Sequence, residues 1–204
     1  MTKPGNGVAK QVGEGQLFEL LRYSHIFASV VREILEIKLL NEVCPNSLTL
    51  SQFHLLKLIS LDGKHQVGQV ADFLGVSPPA ATKNVDKLEG LGLVFRKQSK
   101  GDRRATLLSS SAKGRRLVEK YENLKAERLA PVLRAFNAEE LDQLAHLLER
   151  FSLVLLHAED SGEDLCFRCS AYFEDQCPVT QLREGCPYQK VCDSHVATTG
   201  KMEA

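Results

Sequence analysis

The 204-residue chain has no apolar run near the roughly 18 residues that cross a bilayer, and its opening, MTKPGNGVAK, lacks the apolar core and small-residue cleavage site of a secretion signal. A cytoplasmic protein without a membrane partner is the expectation. There is no surplus of either charge: 26 basic side chains balance 26 acidic ones, so net charge alone points neither toward nor away from a nucleic acid. Nor is there a nucleophile elbow, a phosphate-cradling glycine loop, or a pair of carboxylates beside a supporting base. An enzyme is therefore not expected. With 43% hydrophobic and 25% charged residues, the composition is that of a folded globular chain and excludes disorder as its ordinary state.

The charge balance conceals a division. Residues 1–158 carry 22 Lys and Arg against 17 Asp and Glu, a net of +5, whereas residues 159–204 carry 4 against 9, a net of −5. Between Lys83 and Arg116 ten basic residues accompany three acidic ones, Asp86, Glu89 and Asp102, a local excess of the sort that phosphate contacts require. Cysteine divides the same way. Cys44 stands alone and reads as a small hydrophobe, but Cys166, Cys169, Cys177, Cys186 and Cys192 fall within 27 residues. In a chain without a secretion signal such crowding points to a metal or redox site rather than a disulfide framework. Three segments follow: a Gly-rich flexible leader over 1–15, a folded domain over 16–158, and a cysteine-rich tail over 159–204.

Within the folded domain, apolar residues recur at helical spacing from Leu17 to Ile37. They predict a long amphipathic helix ending before Cys44-Pro45, because a residue preceding proline is pushed out of helical dihedrals. Thr49 and Gln52 have capping-box spacing ahead of a helix that stops at Asp62-Gly63. A short helix is predicted over 66–74, closed by Gly75. Ser77 is an N-cap candidate, and Pro78 suits the first position of a further helix reaching about Gly90. Leu93–Lys97 and Ala105–Ser109 read as strands around a turn at Ser99–Asp102. Two helices complete the domain. One runs from Ala112 to about Ala130; the other is capped by Asn137 and Glu140 and carries a stripe of Leu141, Leu144, Leu148, Phe151 and Leu155. Widened by Leu147 and Val154, that stripe is too apolar for a lone surface helix, and a second copy of the chain is expected against it. His54 and His146 lie within helices and are expected to be structural.

Helix, glycine-bearing turn, second helix and basic hairpin, in that order, make a winged helix-turn-helix. The fold class expected is mainly α with a small β part (α+β), with long N- and C-terminal dimerisation helices. The second helix must lead into the major groove with small or polar side chains, since bulk there holds the backbone off the base edges. Ser77, Pro79, Ala80, Ala81, Thr82 and Lys83 meet that need; Val85 and Leu88 anchor the helix, and Lys87 can reach phosphate. Lys100, Arg103 and Arg104 at the hairpin tip are candidates for the adjacent minor groove, whose potential is most negative over narrow A·T segments.

The stretch LGVSPPAATKNVDKLEGLGLVFRKQSKGDRRATLLSSSAKGRRL resembles the MarR family of bacterial transcription regulators, and the resemblance extends over about 16–158. Ser77 and the small residues after it match the leading end of the family's recognition helix. Asp102-Arg103-Arg104 matches its wing signature, and Ser111-Ala112-Lys113-Gly114 matches the segment after the wing. The resemblance implies a homodimer whose first and last helices interleave and which binds a pseudo-palindromic site on double-stranded DNA. It also implies that Asp102 pairs with an arginine to shape the wing while Arg103 or Arg104 enters the minor groove. Two-fold symmetry would set the recognition helices about one DNA turn, roughly 34 Å, apart.

The tail lies outside that resemblance. Its spacing is C-x2-C-x7-C-x8-C-x5-C, beginning at Cys166-Phe167-Arg168-Cys169. A CxxC pair sets two thiolates on one turn, and two more close a four-sulfur site around zinc or an iron-sulfur cluster. Proline follows both Cys177 and Cys186, as in many iron-sulfur ligand runs. The first reading is an iron-sulfur cluster, of the 4Fe-4S kind, on Cys166, Cys169, Cys177 and Cys186 with Cys192 as fifth candidate, because five thiols exceed zinc's four and a regulator needs a sensor. Structural zinc is the alternative; thiol-disulfide sensing and haem at Cys177-Pro178 stand behind it. His157 and His195 flank the tail as further ligand candidates.

The expected function is a homodimeric DNA-binding transcription regulator whose cluster reports redox state, oxygen or metal supply. Two alternatives stay open. One is a MarR-like regulator with a structural zinc tail and a separate small-molecule signal. The other is a redox or electron-transfer module that uses the winged helix to dock a protein; salt-dependent, sequence-selective duplex binding separates it from the first two.

Overall fold

A computed structural model describes residues 13–45, 47–62, 65–98 and 106–158. The first helical run is continuous but not uniform: α1 (Glu14–Val30) passes through a π-helical segment (Val31–Lys38) into α2 (Leu39–Val43). The leader expected over 1–15 gives way to helix earlier than predicted, because Gly13 already caps α1. Its N–H donates to Gln16 Oε1 at 3.2 Å, and its carbonyl accepts from the N–H groups of Gln16 and Leu17. The π-helical segment was not predicted, since apolar spacing reports which face is buried and not which carbonyl each N–H selects. The run stops at Val43, two residues before Pro45, as pre-proline sterics require.

α3 (Leu50–Asp62) opens on the predicted capping box: Thr49 N–H donates to Gln52 Oε1 at 3.0 Å and Gln52 N–H to Thr49 Oγ1 at 3.3 Å. This helix is the centre of the core. Leu55, Leu56 and Ile59 are fully buried and meet Val70 and Phe73 of α4 (Val67–Leu74), Val85 and Leu88 of α5 (Pro78–Gly90), and Leu108 of the sheet. Each such side chain contributes roughly 1.5–3 kcal/mol by leaving water, so this cluster, more than helix propensity, holds α4 and α5 in place.

The sheet corrects the sequence reading. It has three strands in the order β1-β3-β2: β1 (His65–Gln66), β2 (Val94–Gln98) and β3 (Thr106–Ser110), all antiparallel neighbours. Gln66, predicted to open the short helix, belongs to β1, whose His65 and Gln66 pair with Leu108 and Leu107. Two residues are too few for a period-2 pattern to be seen, and only the partner strand defines them. The hairpin register pairs Val94 with Ser110 and Gln98 with Thr106, one residue later on each strand than predicted.

α6 (Ala112–Leu133) leaves the sheet through a tight junction. Ser111 Oγ accepts from Gly114 N–H at 3.0 Å and donates to the Gly92 carbonyl at 2.7 Å, while Ser111 N–H donates to the Leu93 carbonyl at 2.9 Å. The helix continues through Pro131, three residues past the predicted end. Midway, Tyr121 packs on Phe53 with ring centroids 4.4 Å apart, and its hydroxyl donates at 2.7 Å to the carbonyl of Leu35 in the π-helical segment. Beside it Lys57, buried in α3, meets Glu122 at 2.5 Å, and Lys125 also pairs with Glu122. Burial pushes the Lys57 ammonium below the ordinary lysine range, against the opposing hydrogen bond to Glu122. Burial alone would raise the Glu122 carboxyl, but hydrogen bonds from Lys125 and Lys57 outweigh it and hold the group below the usual carboxylate range. Burial, with Glu122 and Glu36 near, pushes the Tyr121 phenol upward.

α7 (Ala138–Ala158) begins with the predicted second box, Asn137 N–H to Glu140 Oε2 at 2.8 Å and Glu140 N–H to Asn137 Oδ1 at 2.9 Å. In the single chain its Leu144, Leu147, Phe151, Val154 and Leu155 are exposed, as are Leu17, Phe18, Leu21 and Phe27 of α1. No helix of the described residues is long and apolar enough to cross a membrane.

Candidate nucleic-acid interface

The turn between α4 and α5 is built by backbone chemistry. Gly75 sits at φ 63°, where an L side chain is strained, and Val76 N–H donates back to the Ala71 carbonyl at 3.1 Å, which closes α4 and lets the chain reverse. α5 ends the same way: Gly92 is at φ 69°, Gly92 N–H donates to Glu89 and Leu93 N–H to Leu88, at 2.8 and 2.9 Å. The recognition helix is thus delimited at both ends by left-handed glycines. Gln52 Nε2 donates to Asn84 Oδ1 at 3.1 Å and ties it to the N-terminus of α3.

The helix presents two faces. Ala81, Val85 and Leu88 are buried, at i, i+4 and i+7, whereas Pro78, Pro79, Thr82, Lys83, Asp86 and Lys87 are exposed. Of the residues predicted to face the groove, Ser77, Pro79, Thr82, Lys83 and Lys87 lie on the open side and Ala80 is half-buried. Ala81 is a correction. It has no exposed surface, because the fourfold step from Ala81 to Val85 places it in the seam against the core, where its small size serves packing. Ser77 does precede the helix with extended dihedrals, φ −64° and ψ 150°, but its side chain makes no cap. Prolines at the first two helical positions remove two of the N–H groups that a cap would serve.

One residue was missed by sequence reasoning. Arg96 of β2 reaches across to α5, its Nη2 meeting Asp86 at 2.5 Å and its Nη1 pairing with Glu89, while Arg96 N–H donates to Glu89 Oε1 at 3.3 Å. The Asp86 hydrogen bond, despite some burial, raises the guanidinium's pKa further, so its charge is permanent. The hairpin is thereby clamped to the recognition helix, and two of the three carboxylates in the basic segment share one cation. An i, i+3 acidic pair followed by a strand arginine was the available signal.

Lys100, Asp102, Arg103 and Arg104 at the hairpin tip lie outside the described residues, as do Cys166, Cys169, Cys177, Cys186, Cys192 and His195. Cys44 is a free, half-buried thiol that packs against the core, as expected of a small hydrophobe. His54 is buried in α3 and His146 is exposed on α7. Among the described residues no three His, Cys, Asp or Glu side chains gather as a metal site.

A helix-turn-helix leading into a three-stranded sheet with a clamped hairpin is a winged helix. Residues 48–106 match the sequence model of the MarR family. Solved structures show the same fold. The chain is similar to RV1404 from Mycobacterium tuberculosis at 24% identity, with a TM-score of 0.58 over 71% of this chain and 95% of that one. A MarR family protein from Bacillus stearothermophilus matches at 22% identity with a TM-score of 0.59 over 71% and 98%. Streptococcus pneumoniae FabT, solved in complex with DNA, matches at 20% identity with a TM-score of 0.58 over 69% and 99%.

Proposed function

We propose that the chain is a homodimeric transcription regulator that binds duplex DNA through α5 and the adjoining hairpin, and that a cysteine-ligated iron-sulfur cluster in the tail sets its activity. The observation that carries DNA binding is the open face of α5. Among the described residues Lys83 and Lys87 have no acidic partner, while Arg96 pairs with both Asp86 and Glu89 and offsets one of their two charges, so the face keeps two unpaired cations beside carboxylates that are held by an arginine. FabT, a protein of the same fold, has been solved in complex with DNA, which supports duplex binding by a chain of this fold. Fluorescence anisotropy of duplexes drawn from a random pool tests it. Binding should be sequence-selective and should weaken steeply with salt, by about 0.9 in log K per phosphate contact for each log unit of salt. Salt-independent or unselective binding overturns it in favour of a docking module.

The cluster reading rests on the tail's spacing, four thiolates with a fifth in reserve. Protein prepared without oxygen should contain iron and acid-labile sulfide and lose both when Cys166 or Cys169 becomes Ser. Cluster-bound and cluster-free forms should differ in DNA affinity roughly 5- to 150-fold, the range of a coupling of about 1–3 kcal/mol. One tightly held zinc per chain, with equal affinity after oxidation, would leave a structural metal instead.

A specific feature favours the alternative of a separate small-molecule signal. A cleft of about 340 Å³ between the end of α2 and α6 has Val43, Leu93 and Leu117 along its wall and Lys113, Arg116 and Lys120 around it, a lining suited to a small organic anion. Carboxylates that raise the melting temperature, an effect lost in Arg116→Ala, would support that reading.

A further inference from the structure

The leading end of α5 is short of hydrogen-bond donors. Prolines occupy its first two positions and have no N–H to offer phosphate or base acceptors. Ala80 is half-buried and Ala81 fully so. Thr82, the next exposed residue, donates its hydroxyl to the helix's own Pro78 carbonyl at 3.0 Å. That bond fixes the side chain and leaves its methyl as the group without a polar partner on the open face. What the helix itself carries foremost is therefore an apolar surface of two pyrrolidine rings and one methyl, flanked by the Ser77 hydroxyl before it and the Lys83 ammonium after it.

The major groove offers one apolar feature to such a surface. Base edges there are N–H donors and N or O acceptors, except for the 5-methyl group of thymine. Setting the proline rings and the threonine methyl against any other edge would strip water from acceptors and donors without replacing the lost hydrogen bonds. From this juxtaposition we propose that the operator half-site carries a thymine whose 5-methyl group packs against the Thr82 methyl and the Pro79 ring, so that Thr82 determines sequence specificity. The inference rests on the DNA-binding reading above and adds the base that the helix selects.

The test uses the full chain and duplexes it enriches from a random pool. Each thymine of the half-site is replaced in turn by deoxyuridine, which removes only the 5-methyl group. One position per half-site should lose about fourfold in affinity, and about 15-fold when both half-sites are changed, the worth of one buried methyl at each. Thr82→Ser keeps the hydroxyl bonded to Pro78 and removes the methyl, and it should reduce the uracil penalty at that position to roughly half, the part that the Pro79 ring retains. Thr82→Val keeps a methyl outward and should retain the penalty. Enrichment of duplexes with no uracil penalty, or a full penalty persisting in Thr82→Ser, overturns the methyl reading while leaving DNA binding intact. A pool that yields no enriched duplex overturns DNA binding itself, which is a distinguishable result.

Discussion

At the scale of single residues, two positions bear a constraint that their identity alone does not advertise. A Cβ built on Gly114 would lie 2.2 Å from the Leu93 carbonyl oxygen and 3.1 Å from Leu56 Cδ1. Backbone must move to admit it, and the Ser111 junction that starts α6 would open. Gly114→Ala is expected to cost about 1–3 kcal/mol despite its gain in helix propensity, lowering the melting temperature by on the order of 5 °C. A calorimetric scan showing unchanged or higher stability would mean that α6 is not seated this closely. Glu122 is the second such residue. Replacing it by Gln leaves Lys57 buried with a neutral partner, at a cost of about 1–3 kcal/mol once the carboxylate's partial exposure is allowed for. Because the folded carboxyl titrates below its unfolded value, its contribution is fully present above the ordinary glutamate range and is lost as pH falls through the folded pKa. Denaturant midpoints of the parent and Glu122→Gln should therefore differ by a constant amount from neutrality down to about pH 5 and converge at more acidic pH. A gap that widened in acid would contradict the assignment.

At the scale of elements, the hairpin and α5 act as one body because of Arg96. Arg96→Ala should leave the fold intact but bind duplex DNA roughly fivefold more weakly, for the one unit of negative charge left uncompensated near phosphate, judged from the Coulomb energy of unit charges at contact in water. The loss should shrink in high salt, where screening lengths fall to a few ångströms. Adding Asp86→Asn and Glu89→Gln to Arg96→Ala should restore much of the affinity at low salt. If the triple variant stays as weak as Arg96→Ala, the arginine acts by holding the hairpin and not by neutralising charge. These contacts also show what was legible beforehand. Both capping boxes, the α5 boundaries and the buried Val85 and Leu88 follow from local chemistry, which repeats within a few residues. Strand β1 and the Tyr121 bond to Leu35 join residues distant in sequence, and no local pattern encodes them, whereas the Arg96 clamp spans only seven to ten residues and left a signal in its acidic pair. Ala81 failed for a different reason: a small side chain satisfies both a groove and a packed seam, and only the helix's rotation on the core decides between them.

At the scale of the whole molecule, the single chain leaves its two longest apolar faces uncovered. Leu147 and Val154 of α7 are 60% and 64% exposed, and Leu17 and Phe18 of α1 are 50% and 67% exposed. Such contiguous surface is unusual on a monomer and is what a two-fold interface buries. Because Leu147 and Val154 contribute little to the protomer's own core, changing both to Glu should leave the winged helix folded, with an unchanged melting transition for the α3–α5 core. In a dimer the same carboxylates would be stripped of water without partners, a cost that no remaining contact offsets. Sedimentation should then report a 22.7 kDa species in place of one twice that mass. DNA binding should fall much further than any single contact explains, since one recognition helix reads one half-site and the second binding event loses its high effective concentration. A single half-site duplex should be bound about equally by parent and variant, because that encounter never drew on the second subunit. An intact dimer in the double variant would place the interface on other surfaces. A monomer that still held the full site at parental affinity would show that the two half-sites are not read as a unit.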